Sequence, residues 1–277
     1  MNSAPIPPLN ASALLKRFGL RADKRLGQNF LQDESALERI AAAAEIQGDD
    51  CVLEIGPGLG SLTRYLAVSA KKVTAVELDR DLLIPLQAVL QPYQNVRVVH
   101  GDILKLSIAE LIDQPNYIVA ANIPYNITSA IIRHLLENLP KPRRVVLTIQ
   151  KEVAERICAQ PGDLSLLALS VQVYGQPRIA GRIPAAAFHP APKVDSAILR
   201  IDIYEEPLIS KELVDTFFKL TKAGFGQKRK TLRNSLSSGL HISPQNTESL
   251  LTSAGIDPMR RAETLSIDEW KGLCEKR

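Results

Sequence analysis

Five short β-rich runs, at residues 51–55, 72–76, 96–100, 117–121 and 144–149, alternate with segments at 61–69, 80–90, 104–113 and 128–138. Those segments carry helical apolar spacing or are long enough to hold crossover helices. This order predicts a mostly parallel sheet with helices on both faces. Upstream, residues 12–20 and 33–46 have helical spacing as well. From residue 167 the pattern changes to two longer β-like runs, 167–175 and 196–204, separated by a loop holding Pro184, Pro190 and Pro192. Glu205-Glu206-Pro207 marks the expected boundary, and the residues after it read as helices punctuated by Gly and Pro. The expected architecture is therefore α/β. A Rossmann-like domain spans residues 1–207 and a small all-helical domain spans 208–277.

In open α/β sheets ligands bind at the carboxyl ends of the strands, so residues there carry the functional argument. Glu54-Ile55-Gly56-Pro57-Gly58-Leu59-Gly60 closes the first run and opens a helix. Its spacing is G-x-G-x-G. The longer G-x-G-x-x-G form cradles a pyrophosphate at a helix N-terminus. Gly56 and Gly58 in the shorter form suit a ligand that needs close backbone approach but has no phosphates, such as S-adenosylmethionine. Glu77 ends the second run, where a carboxylate can accept from ribose hydroxyls or simply face solvent. Asp102 follows the third, where it can accept from an adenine amino group or cap a helix.

Asn122-Ile123-Pro124-Tyr125 follows the fourth run. An amide and backbone carbonyls can accept hydrogen bonds from an exocyclic amine, and Tyr125 offers a stacking face. Asn and Pro are also ordinary turn residues. The set separates the two readings: Gly56, Glu77, Asp102 and Asn122 end successive strands, and four unrelated explanations would have to fall on one sheet edge. Phe188 leads a Pro-braced loop running to Ser196. It reads either as a core residue or as a second stacking face opposite Tyr125.

Other chemistries lose ground. Cys51, Cys158 and Cys274 have no C-x-x-C spacing and read as reduced thiols. The four histidines lack metal-ligand spacing, so no metal is expected. G-x-S-x-G and P-loop motifs are absent. No apolar run approaches membrane-spanning length, and the first eight residues lack a signal-peptide pattern, so no membrane and a cytoplasmic location are expected. Net charge is +4, and residues 208–277, with 12 basic and 8 acidic residues, carry all of it. There Lys222, Lys228, Arg229, Lys230 and Arg233 crowd one segment. A second group, Lys16, Arg17, Arg21, Lys24 and Arg25, lies near the N-terminus. Both read either as solvated faces or as footprints for a polyanion.

Taken in order, residues 26–31, 54–60, 76–79, 101–102, 122–125, 188–196, 229–234 and 261–266 resemble the motifs of the ribosomal RNA adenine N6,N6-dimethyltransferases. The match covers roughly residues 15–272. That resemblance implies S-adenosylmethionine held by Asn29, Leu31, Gly56, Glu77, Asp102 and Asn122. It also implies a helical C-terminal domain, and a small-subunit (16S) rRNA substrate carrying two adjacent adenosines near its 3′ end, each methylated twice. The Gly before Gln28 and the long tail look more like the small-subunit enzymes than the large-subunit, antibiotic-resistance methylases. A DNA adenine methyltransferase could use a similar Asn-x-Pro-Tyr pocket. A ribosome-assembly or transcription factor could keep the fold without catalysis. The glycine spacing disfavours a dinucleotide oxidoreductase.

Overall fold

The computed structural model describes residues 6–277, so the part of the signal-peptide reading that rests on residues 1–5 lies outside it. The strands are β1 (Phe30–Leu31), β2 (Cys51–Ile55), β3 (Lys72–Glu77), β4 (Val96–His100), β5 (Ile118–Asn122), β6 (Arg144–Gln150), β7 (Gly175–Ile183), β8 (Phe188–His189) and β9 (Ser196–Ile203). Seven of them form one sheet in the order β4-β3-β2-β5-β6-β9-β7. The pairs β3/β4, β2/β3, β2/β5 and β5/β6 are parallel, and β9 runs antiparallel to β6. The order reverses between β2 and β5, which opens a crevice beyond their carboxyl ends. β1 and β8 form a separate antiparallel pair, with Leu31 opposite Phe188.

The central strands β2, β5 and β6 are mostly apolar and buried because both faces of the sheet are covered there. Val52, Ile118, Ala120, Val146 and Ile198 share a buried cluster with Leu37 and Ile40 of helix α2 (Glu34–Ala44) and Leu62 and Leu66 of helix α3 (Ser61–Ser69). The intervening Leu53, Val119 and Leu147 project to the opposite face and are equally buried. In chain order the helices are α1 (Ala11–Arg17), α2 (Glu34–Ala44), α3 (Ser61–Ser69), α4 (Leu83–Leu90), α5 (Ile108–Leu111), α6 (Thr128–Glu137), α7 (Lys151–Ile157), α8 (Leu166–Gln172), α9 (Val214–Phe225), α10 (Leu232–Leu240), α11 (Pro244–Ser253) and α12 (Ile267–Glu275).

Residues 167–175, expected as a strand, mostly form α8. Ser165 caps that helix by accepting from the Ala168 N–H, and a short apolar run is ambiguous without its cap. The strand lies further on, in β7, whose Gly175, Pro177 and Gly181 concealed it. Pro and Gly belong at a sheet edge, and β7 is one of the two edge strands. The 104–113 crossover holds only the single turn α5.

The chain divides into two compact units. One comprises the described residues through Ala154 with Pro177–Ile203, and the other Glu155–Gln176 with Tyr204–Arg277. A single cut after 207 therefore misses residues 155–176, which join the helical unit. The core of that unit includes Phe217, Leu220, Leu236, Leu251, Trp270 and Leu273, all essentially inaccessible. A Cβ added at Gly239 would lie 2.6 Å from the Ala223 Cβ, so α9 and α10 approach as closely as they do only because Gly239 has no side chain. α12 opens with a capping box between Ser266 and Glu269.

Candidate active site

The sheet unit carries a cleft of about 1010 Å³, counting its open mouth, over the carboxyl ends of β2, β3 and β5. Asn29, Leu31, Gly56, Gly58, Glu77, Asp102, Asn122, Pro124 and Tyr125 all line it. The backbone explains why these residues meet. Gly56, Gly58 and Gly60 have φ of 67°, 58° and 82°, a left-handed conformation that side chains disfavour. They turn the chain from β2 into α3. A Cβ on Gly58 would press to 3.1 Å from the Phe30 ring.

Glu77 is 5% exposed, and its two carboxylate oxygens accept from the Gly58 N–H at 2.9 Å and the Asp79 N–H at 2.8 Å. Burial raises its pKa, and those two backbone donors oppose the rise. Each oxygen keeps a lone pair for a further donor. Asp102 caps no helix; the chain after it forms a turn. One oxygen accepts from the Leu104 N–H at 3.1 Å, stabilising the turn after β4, while the residue also borders the cleft.

Asn122 is the last residue of β5. Its Nδ2 donates to the Asn29 carbonyl at 3.1 Å, which leaves Oδ1 as the free acceptor. Tyr125 sits three residues on. Its hydroxyl is 2.6 Å from Ser196 Oγ, and burial raises its pKa.

Phe188 is not brought to the cleft. Its ring is 4% exposed and belongs to the buried cluster that includes Leu31, Leu37 and Ile198. An aromatic residue in a strand paired to Leu31 gains more from burial than from an open edge, so the core reading describes its position and the stacking reading does not.

Three residues had no role at the sequence level. Glu54 lies within β2, lines the cleft and is 1% exposed, with Oε2 lacking any hydrogen-bond partner. Burial pushes its pKa up to about 8. The available signal was an acid inside an otherwise apolar strand. Gln28 accepts from the Asp23 N–H at 2.8 Å and donates to Asp79 at 2.6 Å, pinning the segment before β1 to the end of β3. Ser196 is the third.

In the helical unit Lys222, Lys228, Arg229 and Lys230 are exposed and have no carboxylate partner among the described residues. Arg233 differs, because its Nε lies 3.1 Å from Glu248. Lys16, Arg17, Arg21, Lys24 and Arg25 are exposed on the sheet unit, and Arg25 pairs with Asp23. Among the described residues no group of three His, Cys, Asp or Glu could hold a metal ion, and no helix is long and apolar enough to cross a membrane.

The family model for ribosomal RNA adenine dimethylase matches residues 19–276. The chain belongs to that family. A curated relative from Dehalococcoides mccartyi, "Ribosomal RNA small subunit methyltransferase A", is 48% identical over 98% of this chain and 94% of its own length. A relative of the same name from Alkaliphilus metalliredigens is 42% identical, covering 98% of this chain and 97% of its own. Among solved structures, a dimethyladenosine transferase from Plasmodium falciparum superposes with a TM-score of 0.75 at 28% identity, over 88% of this chain and 95% of the other. The 23S rRNA methyltransferase ErmE gives 0.72 at 31% identity, over 90% and 99%. Family membership accounts for the Rossmann-like sheet and the helical C-terminal region together.

Proposed function

We propose that this chain transfers methyl groups from S-adenosylmethionine to the N6 amino groups of two adjacent adenosines near the 3′ end of small-subunit rRNA. Each adenosine becomes N6,N6-dimethyladenosine. The proposed substrate is the RNA within a pre-assembled 30S particle, and the proposed compartment is the cytoplasm. The names of the curated relatives support the small-subunit target over a large-subunit one.

The cleft fits the methyl donor. Gly56 and Gly58 present backbone rather than side chains, the Glu77 oxygens retain acceptor capacity for ribose hydroxyls, and Glu54 Oε2 is an unclaimed polar atom on the wall. Asn29, Leu31, Asp102 and Asn122 complete the set. When bound, S-adenosylmethionine supplies a sulfonium-activated methyl group.

The observation that carries the reading is the orientation of Asn122. With Nδ2 spent on the Asn29 carbonyl, the side chain meets a ligand as a hydrogen-bond acceptor. An adenine amine is a poor nucleophile because its lone pair is delocalised into the ring. Asn122 Oδ1, with the backbone carbonyl of Ile123 or Pro124, accepts from that amine and favours a more tetrahedral nitrogen. Tyr125 stacks against the base taken out of its helix. Much of the rate comes from placement, and the amine proton passes to solvent. Lys222, Lys228, Arg229, Lys230 and Arg233 contribute an RNA footprint. Of these, Arg233 is the weakest candidate because Glu248 already neutralises it.

The test uses 30S particles from cells lacking this gene. Incubation with purified protein and S-adenosylmethionine, followed by mass mapping of the rRNA, should place two methyl groups on each of two adjacent adenosines. Methylation confined to large-subunit RNA would refute the target, and no methylation of any RNA would refute the activity.

A further inference from the structure

Ser196 is assigned nothing by the family motifs beyond its place at the end of one. It is the first residue of β9, is wholly buried, and pairs across the sheet with Gln150 at the end of β6. Its hydroxyl meets the Tyr125 hydroxyl at 2.6 Å. The same loop is fixed on both sides, since Asp195 accepts from the Ala185 N–H at 2.9 Å and its carbonyl from the Lys151 N–H at 3.1 Å. Tyr125 is held at its backbone by the turn after β5 and at its far end by a side chain rooted in the sheet. A tyrosine anchored only at Cα could swing about two side-chain torsions. One anchored at both ends cannot.

We infer that Ser196 is a positioning residue that locks the Tyr125 ring and thereby governs how completely the target amine is dimethylated. The inference rests on the proposed role of Tyr125 as the stacking face. Its physical basis is a difference between the two transfers. In the first, the amine carries two N–H groups, and either can reach Asn122 or the neighbouring carbonyl. In the second only one N–H remains, and the base must be held so that this hydrogen, and not the new methyl, faces the acceptors. A ring free to tilt relaxes that requirement's enforcement, so losing the lock slows the second transfer more than the first.

The experiment compares wild type with S196A, Y125F and the double variant on unmethylated 30S particles, in single turnover at saturating S-adenosylmethionine, with mono- and dimethyladenosine resolved by mass. Cofactor affinity and thermal unfolding are measured alongside. The expected result is accumulation of monomethyladenosine in both single variants, with the second transfer slowed about tenfold or more and cofactor affinity unchanged. The double variant should be no worse than either single one, because the two hydroxyls form one interaction. Y125F alters a half-buried site and keeps the ring, so it remains informative even if S196A unfolds. Wild-type product ratios in Y125F would overturn the inference while leaving the methyl-transfer reading intact. Equal slowing of both transfers, or additive losses in the double variant, would also overturn it. Failure of the wild-type protein to methylate the particles would instead remove the reading beneath it.

Discussion

In the strand-end cleft nearly every polar side chain is held by another part of the chain. Glu77 is held by two backbone N–H groups, Asn122 by the Asn29 carbonyl, Tyr125 by Ser196, and Gln28 by Asp23 and Asp79. In the helical unit Lys222, Lys228, Arg229 and Lys230 stand exposed with no such partner among the described residues. The contrast follows from what the task proposed for each region demands. Methyl transfer depends on atoms placed before the reaction begins, and preorganised hydrogen-bonding groups meet that need without reorganisation. Gripping an RNA backbone depends on charge density and the release of counterions, which flexible cations provide well. Single substitutions should therefore be severe in the cleft and graded in the tail.

The sharpest break between the regions is Asn122→Ala. We expect methyl transfer to fall on the order of 10²–10³-fold or more, as for removal of one preorganised polar group, with cofactor binding weakened but measurable by calorimetry. Glu77→Gln comes next. It puts an amide NH₂ against one of the two backbone donors and should weaken cofactor affinity roughly ten- to a hundredfold, in line with the ~1.5–3 kcal/mol of hydrogen bonds to a charged group. RNA affinity should be nearly untouched.

In the tail, Lys228→Ala and Arg229→Ala should each lower the slope of log affinity against log salt by about 1, with cofactor affinity unaffected. Arg233→Ala should leave that slope unaltered because of Glu248. Equal slopes for all three variants would erase the distinction between paired and unpaired cations.

The smallest effect concerns Glu54. Its folded pKa of about 8 lies above the ordinary carboxylate value of 4.5, so the folded state holds a proton that the unfolded chain releases between those values. The stability it contributes is fully present below pH 4.5 and is lost as pH rises towards 8. Glu54→Gln should flatten that part of the stability profile in denaturant titrations. An unchanged slope would show that Glu54 is not the group responsible.

Much of this was legible in the chain because strand ends are marked chemically. Gly56, Glu77, Asp102 and Asn122 each break an apolar run, and all four reach the same cleft. What was illegible depended on contacts far apart in sequence. Phe188 fits a core or a stacking site equally well until β8 is seen paired to β1. Ser196 gains its meaning only from Tyr125, 71 positions away, and Glu54 looks like part of a glycine motif until its isolation in β2 is visible. α8 and β7 depart from their local sequence signals: an N-cap outweighs an apolar run, and an edge strand tolerates Pro177 and Gly181.

The most direct test of the central claim sets both ribosomal subunits, stripped of these methyl groups, before wild-type and Asn122→Ala protein at cofactor concentrations that saturate each. The account predicts four methyl groups on two adjacent adenosines of the small-subunit RNA with the wild-type protein, and almost none with the variant. Wild-type turnover by Asn122→Ala at equal cofactor occupancy would contradict it.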